Sequence, residues 1–219
     1  LTIEIYKKLS ANKKNIGLVF QAYLNRSLND INNFKNINIR LCKGIYNESE
    51  KQLILAEALD CLDAGAEMVV IGGLDESGNV DEMLLEMLCE KISSEIMVFH
   101  RALDLSINPL ESAKVLQEFG IGAVLSSGAA PAAGLGLGLL GDLSELGIEV
   151  VAGGGVRLED VITLGEVGVE AVHASCRLKT ISNTMETVDD GLFDLSTYPV
   201  DFNKALVLSD EVRKWNENV

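Results

Sequence analysis

The sequence is short of histidine, short of basic residues and without any long apolar run, and each shortage removes a class of function. Two histidines, His100 and His173, in 219 residues rule out a three-histidine metal site. The four cysteines, Cys42, Cys61, Cys89 and Cys176, are scattered with no Cys-x-x-Cys spacing, so neither a zinc site nor a disulfide framework is signalled. They read mostly as core thiols. Eighteen Lys and Arg face thirty-three Asp and Glu, a net charge of -15, which argues against DNA, RNA or an anionic membrane as partner. No stretch approaches the about 18–20 apolar residues of a membrane span, and the start lacks a signal peptide's basic and apolar regions. The expectation is a cytoplasmic protein. The chain opens on Leu1 rather than Met, so it reads as a piece of something longer.

What is present is apolar sequence in short, evenly spaced runs. At 47% hydrophobic content the chain can bury one large core, and a single domain over 1–219 is expected. Strands are predicted at Ile16 to Tyr23, Ile37 to Leu41, Met68 to Gly73, Glu95 to Phe99, Ala123 to Gly128, Val150 to Val156 and Ala171 to Cys176. Between them lie helical patterns at Leu28 to Phe34, Glu50 to Ala64 with Gly65 as its cap, Asp81 to Ile92, and Leu110 to Phe119 after Asn108-Pro109. A helix without a preceding strand is expected at Leu1 to Lys14, a loosely packed one in Ala129 to Leu140, and a last one in Lys204 to Trp215. Arg177 to Leu195 reads as loop. The methionines of Asp81 to Ile92 fall at apolar positions and suggest core filling rather than a metal site.

Strand and helix alternating every 20 to 30 residues or so is the mark of a parallel sheet. The fold class is therefore α/β, a TIM-barrel-like (β/α) barrel with seven parallel strands, one short of eight. A doubly wound sheet has the same alternation, but the small or polar endings of the last three strands favour the barrel mouth. A barrel one strand short has two open edges, which must be covered, paired with a second copy in a homo-oligomer, or closed by seven strands.

The pivot of the sequence is Val150-Val151-Ala152-Gly153-Gly154-Gly155-Val156, a buried strand breaking into three glycines before the helix-like Arg157 to Val161. Gly153, Gly154 and Gly155, with Ser127 and Ser175 at the ends of neighbouring strands, are the candidate anion site, since backbone N–H groups at such a turn can cradle an anion. The alternative is that these glycines only make tight turns. His100 and Arg101 adjoin at one strand end, where only one can point straight into the mouth. The imidazole suits a general base or a copper ligand, and the guanidinium suits a carboxylate or phosphate. Against this stands a structural ion pair with Asp104, and for His173 a satisfied near-core imidazole. Arg40 closes the second strand. With His100 and Arg101 it makes the candidate catalytic set. Copper(I) favours thiolates, and Cys42 and Cys176, near the ends of the second and last strands, are the candidate pair.

From about Glu50 onward the chain resembles the CutC family, TIM-barrel proteins associated with copper homeostasis. The likeness rests on Asp63-Ala64-Gly65-Ala66-Glu67-Met68-Val69-Val70, Gly72, Asp75 and Gly78-Asn79-Val80-Asp81. It continues in Phe99-His100-Arg101-Ala102-Leu103-Asp104, Leu125-Ser126-Ser127-Gly128-Ala129, Ala152 to Val156 and Val172-His173-Ala174-Ser175. The resemblance implies copper handling. The copper cysteines proposed for that family lie on N-terminal strands that differ here, so they do not carry over residue by residue. About the first 49 residues, through Phe20 to Arg26 and Arg40 to Ser49, instead resemble proline dehydrogenase, a flavin enzyme and also a TIM barrel. That likeness implies FAD contacts at Gln21 and Arg40 and active-site positions at Lys43 and Tyr46. Its later paired-arginine motif is missing, so FAD is not expected. The two likenesses together suggest a chimera joined near Tyr46 to Glu50. Three functions follow: a CutC-like copper-binding protein, an anion-binding barrel enzyme acting on a phosphorylated or carboxylated small molecule, or an inactive scaffold. A flavin oxidoreductase ranks last.

Overall fold

The computed structural model describes residues 18–21, 37–40, 45–178, 180–181, 196–197 and 199–218. The helices expected at Leu1 to Lys14 and Leu28 to Phe34, and the candidate ligand Cys42 with Lys43, lie outside these residues. The chain divides into a unit spanning Gly17–His173 and a second one that contains Ala174–Val219.

The first unit is a parallel sheet with helical crossovers. Its strands are β1 (Leu18–Gln21), β2 (Ile37–Arg40), β3 (Met68–Ile71), β4 (Met97–Phe99), β5 (Ala123–Ser126), β6 (Glu149–Gly153) and β7 (Ala171–His173), and each pairs in parallel with the next. The spatial order follows the chain order. A doubly wound sheet reverses direction at a switch point, and no reversal occurs among the described strands, so the barrel-type winding is the one observed.

The first three crossover helices each begin where a short polar side chain caps them. Asn47 caps α1 (Glu48–Asp63) by accepting from the Glu50 N–H at 3.0 Å, and the Glu50 carboxylate accepts from the Asn47 N–H at 2.9 Å. Such a reciprocal pair is worth about 1 kcal/mol. Gly65, at φ +98, follows the end of α1 as the sequence suggests. Asp81 caps α2 (Glu82–Cys89), and Asn108 with Pro109 opens α3 (Pro109–Glu118). Lys51 of α1 reaches the same Asp81 carboxylate at 2.6 Å, with both side chains largely buried, so α1 and α2 are tied by one charge pair.

Several expectations differ from the structure: the strand expected at Glu95 to Phe99 is reduced to Met97–Phe99 behind a 3-10 turn at Ser94–Ile96, and the loop expected at Arg177 to Leu195 contains the strand Thr180–Ile181. Met83 on α2 is 66% exposed, because the buried stripe of that helix is already filled by Leu84, Leu85 and Leu88. The helix after β5 is α4 (Leu137–Glu145), later than Ala129 to Leu140, because Gly134 and Gly136 hold a 3-10 turn ahead of it. After the triple glycine comes another 3-10 turn, Leu158–Asp160, and then a six-residue helix, α5 (Val161–Glu166). A helix so short and so far from the glycines contributes little dipole to them.

Along β3, β4 and β5 both faces of the sheet are buried, which explains their near-continuous apolar runs. Val70, Val98, Ala123 and Leu125, with Met68 and Val151, pack on one face. Ile71, Phe99, Val124 and Val150 occupy the other at 0% exposure, and each such side chain contributes about 1.5–3 kcal/mol. The second unit holds a short antiparallel pair, β8 (Thr180–Ile181) with β9 (Ser196–Thr197), and α6 (Phe202–Asn218).

Candidate functional site

Strand alternation decides what reaches the mouth. Two residues beyond Val70, Val98, Leu125 and Val151 stand Gly72, His100, Ser127 and Gly153, so these four continue the inward-facing rows at the strands' C-terminal ends. The ladder runs one step past β3 and β4, with the His100 N–H donating to Ile71 O at 2.7 Å. His100 is 3% exposed and lies over Gly72, where an added Cβ would stand 2.8 Å from its Nδ1. The Ala102 N–H donates to that Nδ1 at 3.1 Å, so the proton of the neutral ring sits on Nε2. Gly72→Ala should therefore dislodge the imidazole and lower stability by about 1–3 kcal/mol, read as a drop in the urea midpoint. A variant as stable as the parent would show that the ring has room elsewhere.

Arg101 turns the other way, toward β5 and β6. Its Nε donates to Asp104 Oδ2 at 2.7 Å and its Nη2 to Ser127 Oγ at 2.7 Å. A Cβ on Gly154 would lie 2.7 Å from its Nη1, so the guanidinium rests on a glycine that must stay bare. The side chain of Arg101 is 34% exposed, that of Asp104 only 4%.

Asp104 is the centre of this mouth, and the sequence reading gave it only a structural part. Its Oδ1 accepts from Ser126 Oγ at 2.5 Å and from the Ala129 N–H at 3.2 Å, and its Oδ2 accepts from the Ser127 N–H at 3.0 Å. Ser126 Oγ in turn accepts from the Gly128 N–H at 2.8 Å. Gly128 and Ala129 have left-handed φ of +70 and +53, which turns successive N–H groups inward as a nest. Burial pushes the Asp104 carboxyl up, but the hydrogen bonds from Ser126, Arg101, Ser127 and Ala129 outweigh it and hold the group below its ordinary value. The nest is thus already occupied by an anion of the chain itself. Arg-x-x-Asp spacing across a strand-end turn, followed by paired serines at the next strand end, is the sequence signal that marks it.

The other expected site residues fall as follows. Gly153 is buried against Leu125, Gly155 is exposed at φ +66, and the Gly154 carbonyl accepts from the Ala133 N–H at 2.8 Å, so the triple glycine mainly makes room and turns the chain. His173 is the register partner of Gly153 and half-buried. Arg40 is the register partner of Val70 and of Gln21. Tyr46 packs against the end of β3, its ring 3.1 Å from where a Gly73 Cβ would be. Ser175, exposed, and Cys176, buried, belong to the second unit. Burial raises the Cys176 thiol, Lys204 offsets this in part and Asp201 adds to it. Burial with Glu57 and Asp60 pushes Cys61 up to about 11. Among the described residues, no three His, Cys, Asp or Glu side chains gather as a metal site.

A parallel α/β sheet whose strand order follows the chain, with polar groups at the strands' C-terminal ends, defines the class: an α/β protein of barrel-type winding. The chain belongs to the CutC family, whose sequence profile matches residues 14–178. It is 35% identical over 132 residues to a family protein CutC of Edwardsiella ictaluri, covering 59% of this chain and 53% of that one. With its counterpart from Erwinia tasmaniensis it shares 31% over 170 residues, 76% and 67% of the two chains. The chain thus spans about half to two thirds of the length of the curated relatives it matches. The crystal structure of CutC from Streptococcus agalactiae, named for copper homeostasis, superposes with TM-score 0.57 at 22% identity over 67% of this chain and 80% of that one. An inosine 5' monophosphate dehydrogenase from Legionella pneumophila gives TM-score 0.57 at 13% identity over 90% and 72%, a likeness of fold alone.

The match corrects the reading of the first quarter. It begins at residue 14 and runs unbroken through the segment that resembles proline dehydrogenase, so one family accounts for both stretches and nothing supports a chimera. It also ends at 178, close to the His173 boundary of the first unit, rather than continuing to the end of the chain.

Proposed function

We propose that this chain acts in copper homeostasis, the role for which its relatives are named, and does so by binding a small anionic molecule at its mouth. In this reading the protein works in the cytoplasm as a ring of seven parallel strands, and copper is cargo or stimulus rather than a group held by the described side chains. The observation that carries it is the Arg101 guanidinium, fixed by Asp104 and Ser127 over a bare Gly154 yet still one-third exposed. A surface arginine free to move gives up conformational entropy on binding, whereas one already held does not. His100, at the end of the same strand, is buried behind it and packs over Gly72.

The test is copper tolerance in a bacterial strain lacking its own CutC, with metal analysis of the purified protein. Wild type and Cys176→Ser are expected to restore growth in copper, and Arg101→Ala to restore none. Stoichiometric copper in wild type, lost together with tolerance in Cys176→Ser, would instead assign the function to thiolate ligation.

A further inference from the structure

The mouth can be assigned a ligand class as well as a charge. This rests on the anion-binding reading of Arg101. A guanidinium carries five N–H donors in a plane, and two of them are used. Asp104 and Ser127 take the edge formed by Nε and Nη2, which leaves the far end, where Nη1 and Nη2 present two parallel N–H groups. That end lies over Gly154, which has no side chain of its own, and the Arg101 side chain keeps 34% exposure. Two parallel donors match the two oxygens of a planar carboxylate.

A phosphate needs more than one fork. Barrel phosphate sites draw on backbone N–H groups in the loops at the strand ends. After β5 that supply is spent: the N–H groups of Ser127 and Ala129 go to Asp104, and that of Gly128 goes to Ser126 Oγ. Charge points the same way. Among the described side chains bonded to Asp104 or Ser127, or lying against Gly154, Arg101 is the one cation, and Asp104 already balances it. A dianion would be bound by a formally neutral pair in a chain of net charge -15.

We propose that the mouth of this barrel binds a monocarboxylate end-on through Nη1 and Nη2 of Arg101, and that Asp104, by filling the β5 nest, excludes phosphate esters. The probes are acetate and methyl phosphate, which present the two head groups on equally small bodies. Each is titrated into the wild-type chain at low salt and pH 7.5, followed by amide chemical shifts of residues 126–129 and 153–155. Acetate should bind at least fivefold more tightly than methyl phosphate, and Arg101→Lys, which keeps the charge and loses the fork, should weaken acetate at least tenfold. Equal or tighter binding of methyl phosphate would overturn the carboxylate assignment while leaving an anion-binding mouth in place. No saturable binding of either would remove both. The wild-type comparison decides the class even if Arg101→Lys fails to fold.

Discussion

Asp104→Ala should lower unfolding stability by about 3 kcal/mol, the largest loss expected from any single polar residue of the mouth. The carboxylate is almost fully buried, and its removal strips the Ser126 hydroxyl and the Ser127 and Ala129 N–H groups of their acceptor while leaving Arg101 without its counter-charge. Because this is a nest deprived of its anion, formate should refill it. At about five times its dissociation constant for the emptied nest, formate should return about 1 kcal/mol to the variant, and less to wild type, whose nest is already filled and where only the end of Arg101 is left to bind it. The pH dependence follows from the lowered carboxyl value of Asp104. Its contribution is complete above the unfolded value of about 3.9 and is lost as pH falls through the lower folded value. Urea unfolding from pH 7 to pH 3 should show the gap between wild type and Asp104→Asn steady near neutrality and closing only on the acid side. A gap that closes near pH 6 would assign the effect to a histidine instead.

Gly136→Ala should cost about 2–3 kcal/mol and loosen the same network, although residue 136 makes no side-chain bond to it. A Cβ there would fall 2.1 Å from the Ser127 carbonyl oxygen and 2.7 Å from Gly128 Cα. Backbone cannot give way as a side chain can, so the β5 loop must move, and with it the Ser127 N–H that holds Asp104. The φ of Gly136 is -103, which any residue adopts, so the loss would be steric and not a matter of backbone strain. Gly138→Ala, whose Cβ meets nothing within 4 Å, is the matched control and should be neutral or slightly stabilising. Equal behaviour of the two variants would show that the close approach of the loops is not needed.

These two positions also mark how far the sequence could be read. The strand cores were legible because burial on both faces leaves a run such as Met68-Val69-Val70-Ile71 no polar position, and Asn108-Pro109 announced its helix start by local chemistry alone. His100 and Arg101 were legible as strand-end residues. Their cradles were not, since Gly72 and Gly154 act on side chains 28 and 53 positions away, and a glycine that makes room looks like a glycine that makes a turn. The triple glycine was legible as a turn, but not as the surface on which the Arg101 guanidinium rests. Ser126 and Ser127 read as small strand endings because the acceptor that organises them, Asp104, lies on a different strand's loop. Met83 misled for a simpler cause: helical spacing marks an apolar position, but the neighbouring leucines had already filled the face.

The arrangement as a whole is an arginine placed by an internal anion. Asp104 fills the nest that a ligand's phosphate would use elsewhere, and in doing so turns Arg101 into a fixed fork with one free end. The most direct measurement is the guanidinium region of a proton–nitrogen spectrum with acetate added stepwise to the folded chain. The Nη resonances of Arg101 should shift and sharpen to saturation while its Nε resonance, held by Asp104, stays in place. Saturation seen on other arginines with Arg101 unmoved, or loss of the Nε resonance as ligand displaces Asp104, would contradict the account.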